Sequence, residues 1–104
     1  MKLEHYSLER LQREIGAIVW KYLAREEYKV YFFGSRVTGN SSERSDIDVG
    51  IEGAATVPPV MMAKIRDEIT ELPTLYNIDV VDMRAASPAF RRIAKQQIEL
   101  ISHE

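Results

Sequence analysis

The feature that most restricts how this chain can fold is a block of strand-like pattern split by a polar loop, residues 30–51 of its 104. Val30-Tyr31-Phe32-Phe33 is a short β-branched and aromatic run stopped by Gly34, and it reads as a buried strand. Residues 34–45 are, apart from Val37, Gly, Ser, Thr, Asn and charged residues, a loop with room for one turn of helix. Ile47, Val49 and Ile51 then alternate with Asp46, Asp48 and Gly50, the period of a second strand. Side chains two apart on a strand share a face, so Asp46 and Asp48 project together while their aliphatic neighbours enter the core. Two adjacent carboxylates repel unless a cation or a proton sits between them, and that makes the pair worth explaining.

The rest of the chain supplies what such a sheet packs against. Leu8, Leu11, Ile15, Ile18, Val19, Tyr22 and Leu23 recur at helical spacing and predict an amphipathic helix from about Ser7 to Glu26. Val57-Pro58-Pro59 opens a second helix with Met61, Ile65, Ile69 and Leu72 on its buried face, ended by Pro73. Residues 78–82, IDVVD, predict a third strand. Ser87-Pro88 then caps a last helix lined by Phe90, Ile93, Ala94, Ile98 and Ile101. A small sheet covered by helices follows from this order, although the strand directions do not. With no linker or repeat, residues 1–104 read as a single domain.

Composition excludes several classes. No apolar run approaches the roughly 20 residues that a membrane helix needs, and no secretory leader is visible. The chain has no cysteine, hence no disulfide framework or thiolate metal site. Together these give a cytoplasmic protein without membrane contact as the expectation. A net charge of −2 argues against direct nucleic-acid binding. Residues 30–83 hold nine Asp/Glu against four Lys/Arg, so the acid excess lies around the two aspartates.

Two familiar motifs fail on inspection. Gly34 to Ser41 nearly matches a phosphate-binding P-loop, but Asn40 stands where the lysine belongs and a strand, not a helix, follows. Asp46 to Gly50 resembles the opening of a calcium-binding EF-hand, yet Gly50 and Val57 occupy positions that need oxygen ligands. His5 and His103 lie near opposite ends of the sequence, without partners at zinc-ligand spacing. What survives is a Gly34-Ser35 strand end suited to close backbone approach by a phosphate, eleven residues before Asp46. Asp79 lies between Ile78 and Val80 on the third strand and can converge on the pair if that strand is adjacent. Asp82 competes for the role but points to the other strand face and, at the strand's end, can reach water; the aliphatic neighbours of Asp79 bury the strand around it and favour it. Three carboxylates are a usual means of holding two metal ions about 3.5–4 Å apart.

This combination, with the whole stretch GSRVTGNSSERSDIDV from Gly34 to Val49, resembles the DNA-polymerase-β-like nucleotidyltransferase superfamily and, within it, the minimal nucleotidyltransferases (MNT proteins). Thr38 departs from the pattern, since many relatives carry arginine there; Arg36 and Arg44 remain in the loop. The resemblance implies an α+β nucleotidyltransferase fold, a small mixed β-sheet with helices packed on it. It implies that Asp46, Asp48 and Asp79 bind two Mg²⁺ ions. Gly34, Ser35 and Arg36 would meet the nucleotide with Asp46 and Asp48, and Asp79 would assist deprotonation of the attacking hydroxyl. ATP is the implied substrate, and a HEPN-type helical protein, the RNase toxin of a toxin–antitoxin pair, is the implied partner, receiving AMP on a tyrosine. The rival expectations are a non-catalytic module that neutralises a helical partner by contact, and a free-standing nucleotidyltransferase acting on a small hydroxylated substrate.

Overall fold

The computed structural model describes residues 1–38 and 46–101. Gly39, Arg44 and Ser45, part of the quoted stretch, lie outside the described residues, as does His103. The described elements are α1 (Leu8–Tyr22), β1 (Tyr28–Phe33), α2 (Ser35–Thr38), β2 (Ile47–Gly53), α3 (Pro59–Thr70), β3 (Ile78–Asp82), α4 (Pro88–Ala94) and β4 (Glu99–Leu100).

Helix α1 starts where Ser7 caps it, its hydroxyl accepting the Arg10 amide, and it stops four residues earlier than the apolar spacing predicts. Leu23 turns into an extended conformation and buries its side chain, and a turn closed by Glu27 N–H on the Ala24 carbonyl redirects the chain into β1. Glu68 on α3 takes hydrogen bonds from Lys21 and Tyr22, tying the two long helices together.

The sheet runs β3-β2-β1-β4. β1 is antiparallel to β2 and to β4, while β2 and β3, joined through α3, are parallel, so the sheet is mixed as the resemblance implies. Alternation along the strands separates two faces. Val30, Phe32, Ile47, Val49, Ile51 and Val80 enter one core with Leu11, Ile15 and Val19 of α1 and Met62, Ile65 and Ile69 of α3. Tyr31, Phe33 and Met83 form a much smaller cluster, with Val81, Ala94 and Ile98 packed on it. VYFF is apolar throughout because both of its faces are covered. Asp48 and Asp79 fall on the thinly covered face, which explains how charged residues fit within apolar strands.

The C-terminal segment corrects the sequence reading. The spacing of Phe90 to Ile101 predicts one helix, but α4 ends at Ala94 and Glu99-Leu100 joins the sheet beside Phe32 and Tyr31. The Ile101 amide bonds the Val30 carbonyl at 2.9 Å, and Ile101 is buried. Satisfying the backbone groups along the outer edge of β1 outweighs helical periodicity there.

Candidate active site

Parallel pairing sets Asp48 and Asp79 directly opposite one another, between the pairs Ile47–Ile78 and Val49–Val80. Asp46 precedes β2 and is exposed; its Oδ1 accepts a hydrogen bond from the Asn77 side chain at 3.3 Å. The backbone carbonyl of Asn77 accepts the Ile47 amide at 2.8 Å, so the residue just before β3 also holds the start of β2. Burial, then the charge of Asp79, then that of Asp46 push the Asp48 carboxyl above the ordinary aspartate range. The three acids therefore interact, with Asp48 the most enclosed.

Gly34 ends β1 at φ +86°, a conformation that a side chain makes unfavourable. A Cβ at this position would lie 2.3 Å from Asp48 Oδ2, so the missing side chain is what lets the carboxylate lie against the loop backbone. Ser35 follows as the first residue of α2, whose turn is closed by the Val37 amide on the Gly34 carbonyl. Gly34, Ser35 and Asp48 line one side of a cleft of about 460 Å³, within the range of small-molecule sites. Phe90, Ile93 and Gln97 line the other side.

Arg36 stands apart from this arrangement. Its side chain is buried, with the guanidinium 4.8 Å from the centre of the Tyr76 ring. The Tyr76 hydroxyl in turn accepts the Glu4 and His5 amides. Arg36 thus packs α2 against the N-terminal segment and the start of β3. Asp82 is used structurally: its carboxylate accepts the amides of Val57 at 2.8 Å and Arg84 at 3.1 Å. The reason for preferring Asp79 is reversed, since Asp79 is the exposed residue and Asp82 the half-buried one. Register with Asp48 is what sets Asp79 apart.

Phe90 and Ile93 belong to the apolar stripe that the sequence predicts along the last helix. Both are exposed, and they form part of the cleft wall. A helical stripe cannot reveal this, because the same spacing serves a core face or an open cleft.

The carboxylates suit a hard divalent cation in kind: all are oxygen donors, and a cation would relieve the repulsion that raises Asp48. Among the described residues no group of three or more acidic or histidine side chains is gathered closely enough to hold a metal ion by itself. That is compatible with Mg²⁺, which characteristically keeps waters and substrate phosphates among its ligands.

The family model described as Polymerase beta, Nucleotidyltransferase matches residues 21–104. A probable protein adenylyltransferase MntA from Haemophilus influenzae is 26% identical over 78 residues, covering 75% of this chain and 68% of the relative. Among solved structures, a toxin–antitoxin with AMP-PNP contains a chain with TM-score 0.68 and 21% identity, covering 89% of this chain and 73% of the other. The complex of a tri-AMPylated Shewanella oneidensis HEPN toxin with its MNT antitoxin gives TM-score 0.65 and 18% identity, over 93% and 74% of the two chains.

Proposed function

The chain belongs to the polymerase β nucleotidyltransferase family, and from that premise we propose that it is a protein adenylyltransferase, transferring AMP from ATP to a tyrosine hydroxyl of a HEPN-type helical partner. The observation that carries the reading is the contact between Gly34 and Asp48 at the cleft, with Asp79 opposite Asp48 on the adjoining strand. A strand end suited to phosphate and acids suited to a divalent cation are thereby neighbours, which supports the reading. Likeness to the Haemophilus MntA, and to the fold of an antitoxin solved with its AMPylated HEPN toxin, supports the choice of nucleotide and acceptor.

Each residue has a defined task in this reaction. Gly34 and Ser35 receive the β- and γ-phosphates through backbone amides and the Ser35 hydroxyl. Asp46, Asp48 and Asp79 would hold Mg²⁺, which when bound supplies the positive charge that the missing P-loop lysine does not. The acceptor oxygen attacks the α-phosphorus from the open side of the sheet, where Asp79 is exposed. A new oxygen–phosphorus bond forms as the bond to the β-phosphate oxygen breaks, and pyrophosphate leaves. Asp79 takes the hydroxyl proton as the acceptor oxygen attacks. Positioning and electrostatic stabilisation supply most of the acceleration. Arg36 serves this site by packing α2 against Tyr76.

No helix among the described residues is long and apolar enough to cross a membrane. We assign the reaction to the cytoplasm as part of this proposal, since it consumes ATP. The test is to incubate the chain and its partner with Mg²⁺ and ATP labelled in either the α- or the γ-phosphate. The α-label should enter the partner and the γ-label should not. Entry of the γ-label would make the protein a kinase, and entry of neither would leave a module acting by contact alone.

A further inference from the structure

Helix α4 walls the cleft but has no fully buried residue: Phe90 is 43% and Ile93 67% exposed. Its apolar hold on the sheet is slight. Ala94 and, beyond the helix, Ile98 pack in part on the Tyr31 cluster, while Phe90 meets Phe33 edge-to-face at 6.0 Å. What fixes the helix is polar and acts on both ends. Arg91, at its midpoint, reaches back to the segment before its first turn, where Nη1 bonds the carbonyls of Met83 at 2.9 Å and Ala86 at 3.1 Å.

At the other end, Lys95 Nζ reaches Glu52 Oε2 at 3.0 Å, and Glu52 Oε1 accepts the Tyr31 hydroxyl at 2.8 Å. This link is built deeply into the sheet. Tyr31 is wholly buried, and it pairs across the strands with Gly50. A Cβ on Gly50 would lie 2.8 Å from Tyr31 Cε1 and 3.0 Å from Met83 Cγ. The bare backbone at Gly50 therefore gives the ring room to lie across β2, so that its hydroxyl meets Glu52, two residues along on the same face. The Glu52 side chain is 11% exposed and that of Lys95 38%. Burial alone would raise the Glu52 carboxyl, but the hydrogen bonds from Tyr31 and Lys95 outweigh it and hold the group below the ordinary range. Gln96 and Gln97, immediately after Lys95, line the cleft.

We propose that Tyr31, Glu52 and Lys95 form a chain of positioning residues that sets the α4 wall of the nucleotide cleft and so governs affinity for the nucleoside triphosphate. This rests on the proposed adenylyltransferase reading. Tyr31 orients the Glu52 carboxylate, and Glu52 pins the end of α4 through Lys95. None of the three touches the phosphates.

The test uses the full chain with Mg²⁺ and the ATP analogue AMP-PNP as probe. Lys95→Met should weaken AMP-PNP binding about tenfold, a modest loss for a displaced positioning element. Lys95→Arg, which keeps the ion pair, should bind like the wild type. Tyr31→Phe tests the buried end without removing the ring and should weaken binding in the same direction. Amide exchange over residues 88–97 should accelerate in Lys95→Met while β1 stays protected. With ATP and the partner protein, KM should rise more than kcat falls. Unchanged affinity in Lys95→Met, or unchanged exchange in α4, would overturn the positioning role while leaving the adenylyltransferase reading intact. A wild-type chain that binds no AMP-PNP would overturn both.

Discussion

Replacing Gly34 by alanine probes the point where the loop and the acids meet, and its effect separates into two parts. At φ +86° the new side chain carries the left-handed penalty, about 1–2 kcal/mol. Its Cβ also lies 2.3 Å from Asp48 Oδ2 and 3.3 Å from Asp48 Cγ, so the half-buried carboxylate must leave its rotamer, which costs about 0.5–1.5 kcal/mol. Gly34→Ala should therefore lose about 2–3 kcal/mol, on the order of 15 °C in Tm for a domain of this size. The second part depends on the Asp48 carboxylate alone, because Asp48 Cβ lies 3.5 Å away, an ordinary contact. In an Asp48→Ala background the same substitution should cost only about 1–2 kcal/mol, giving a coupling of about 1 kcal/mol between the two sites. Urea unfolding of the four proteins, in chelator and with equal m-values, measures this. An equal cost of Gly34→Ala in both backgrounds would refute the close approach on which the site is built.

The raised Asp48 carboxyl predicts that Asp48→Asn stabilises the metal-free chain near neutral pH by ~0.5–1 kcal/mol, discounted for solvent screening. A carboxyl raised on folding disfavours the folded state once ionised. The advantage should therefore shrink as pH falls through the folded pKa and vanish below the unfolded value of about 3.9. A less stable variant at pH 7 would contradict this. The two candidates for the third acid should behave oppositely. Asp82→Ala loses the acceptor for two backbone amides and should cost about 1–3 kcal/mol, whereas Asp79→Asn should stay within about 0.5 kcal/mol of wild type and abolish transfer. Denaturation midpoints alongside transfer assays separate them, and an active Asp79→Asn would remove that residue from the site.

Much of this architecture is legible in local pattern. Alternation at Ile47, Val49 and Ile51 marks β2 and the core face it presents, and Ser87 caps its helix as the following proline suggests. Gly34 and Asp48 are recognisable as a pair by motif, but only the register of β1 on β2 reveals that one must lack a side chain for the other to fit. What pattern could not supply is long-range. Glu99 and Leu100 continue a helical periodicity but are claimed by the open edge of β1, which no local signal reports. Arg36 sits in a phosphate-loop motif yet is drawn to Tyr76, forty residues away in sequence. The cleft wall formed by Phe90 and Ile93 was hidden for the same reason: their exposure depends on how thinly α4 covers the second sheet face.

The central claim, transfer of AMP by the Asp46, Asp48 and Asp79 group to a helical partner, is tested most directly by the intact mass of that partner. It should be measured after incubation with Mg-ATP and either the wild-type chain or Asp46→Asn/Asp48→Asn. The account predicts a gain of one or more adenylyl groups on tyrosine with the wild type and none with the double variant. An unmodified partner in both reactions, inhibited equally by both proteins, would contradict it.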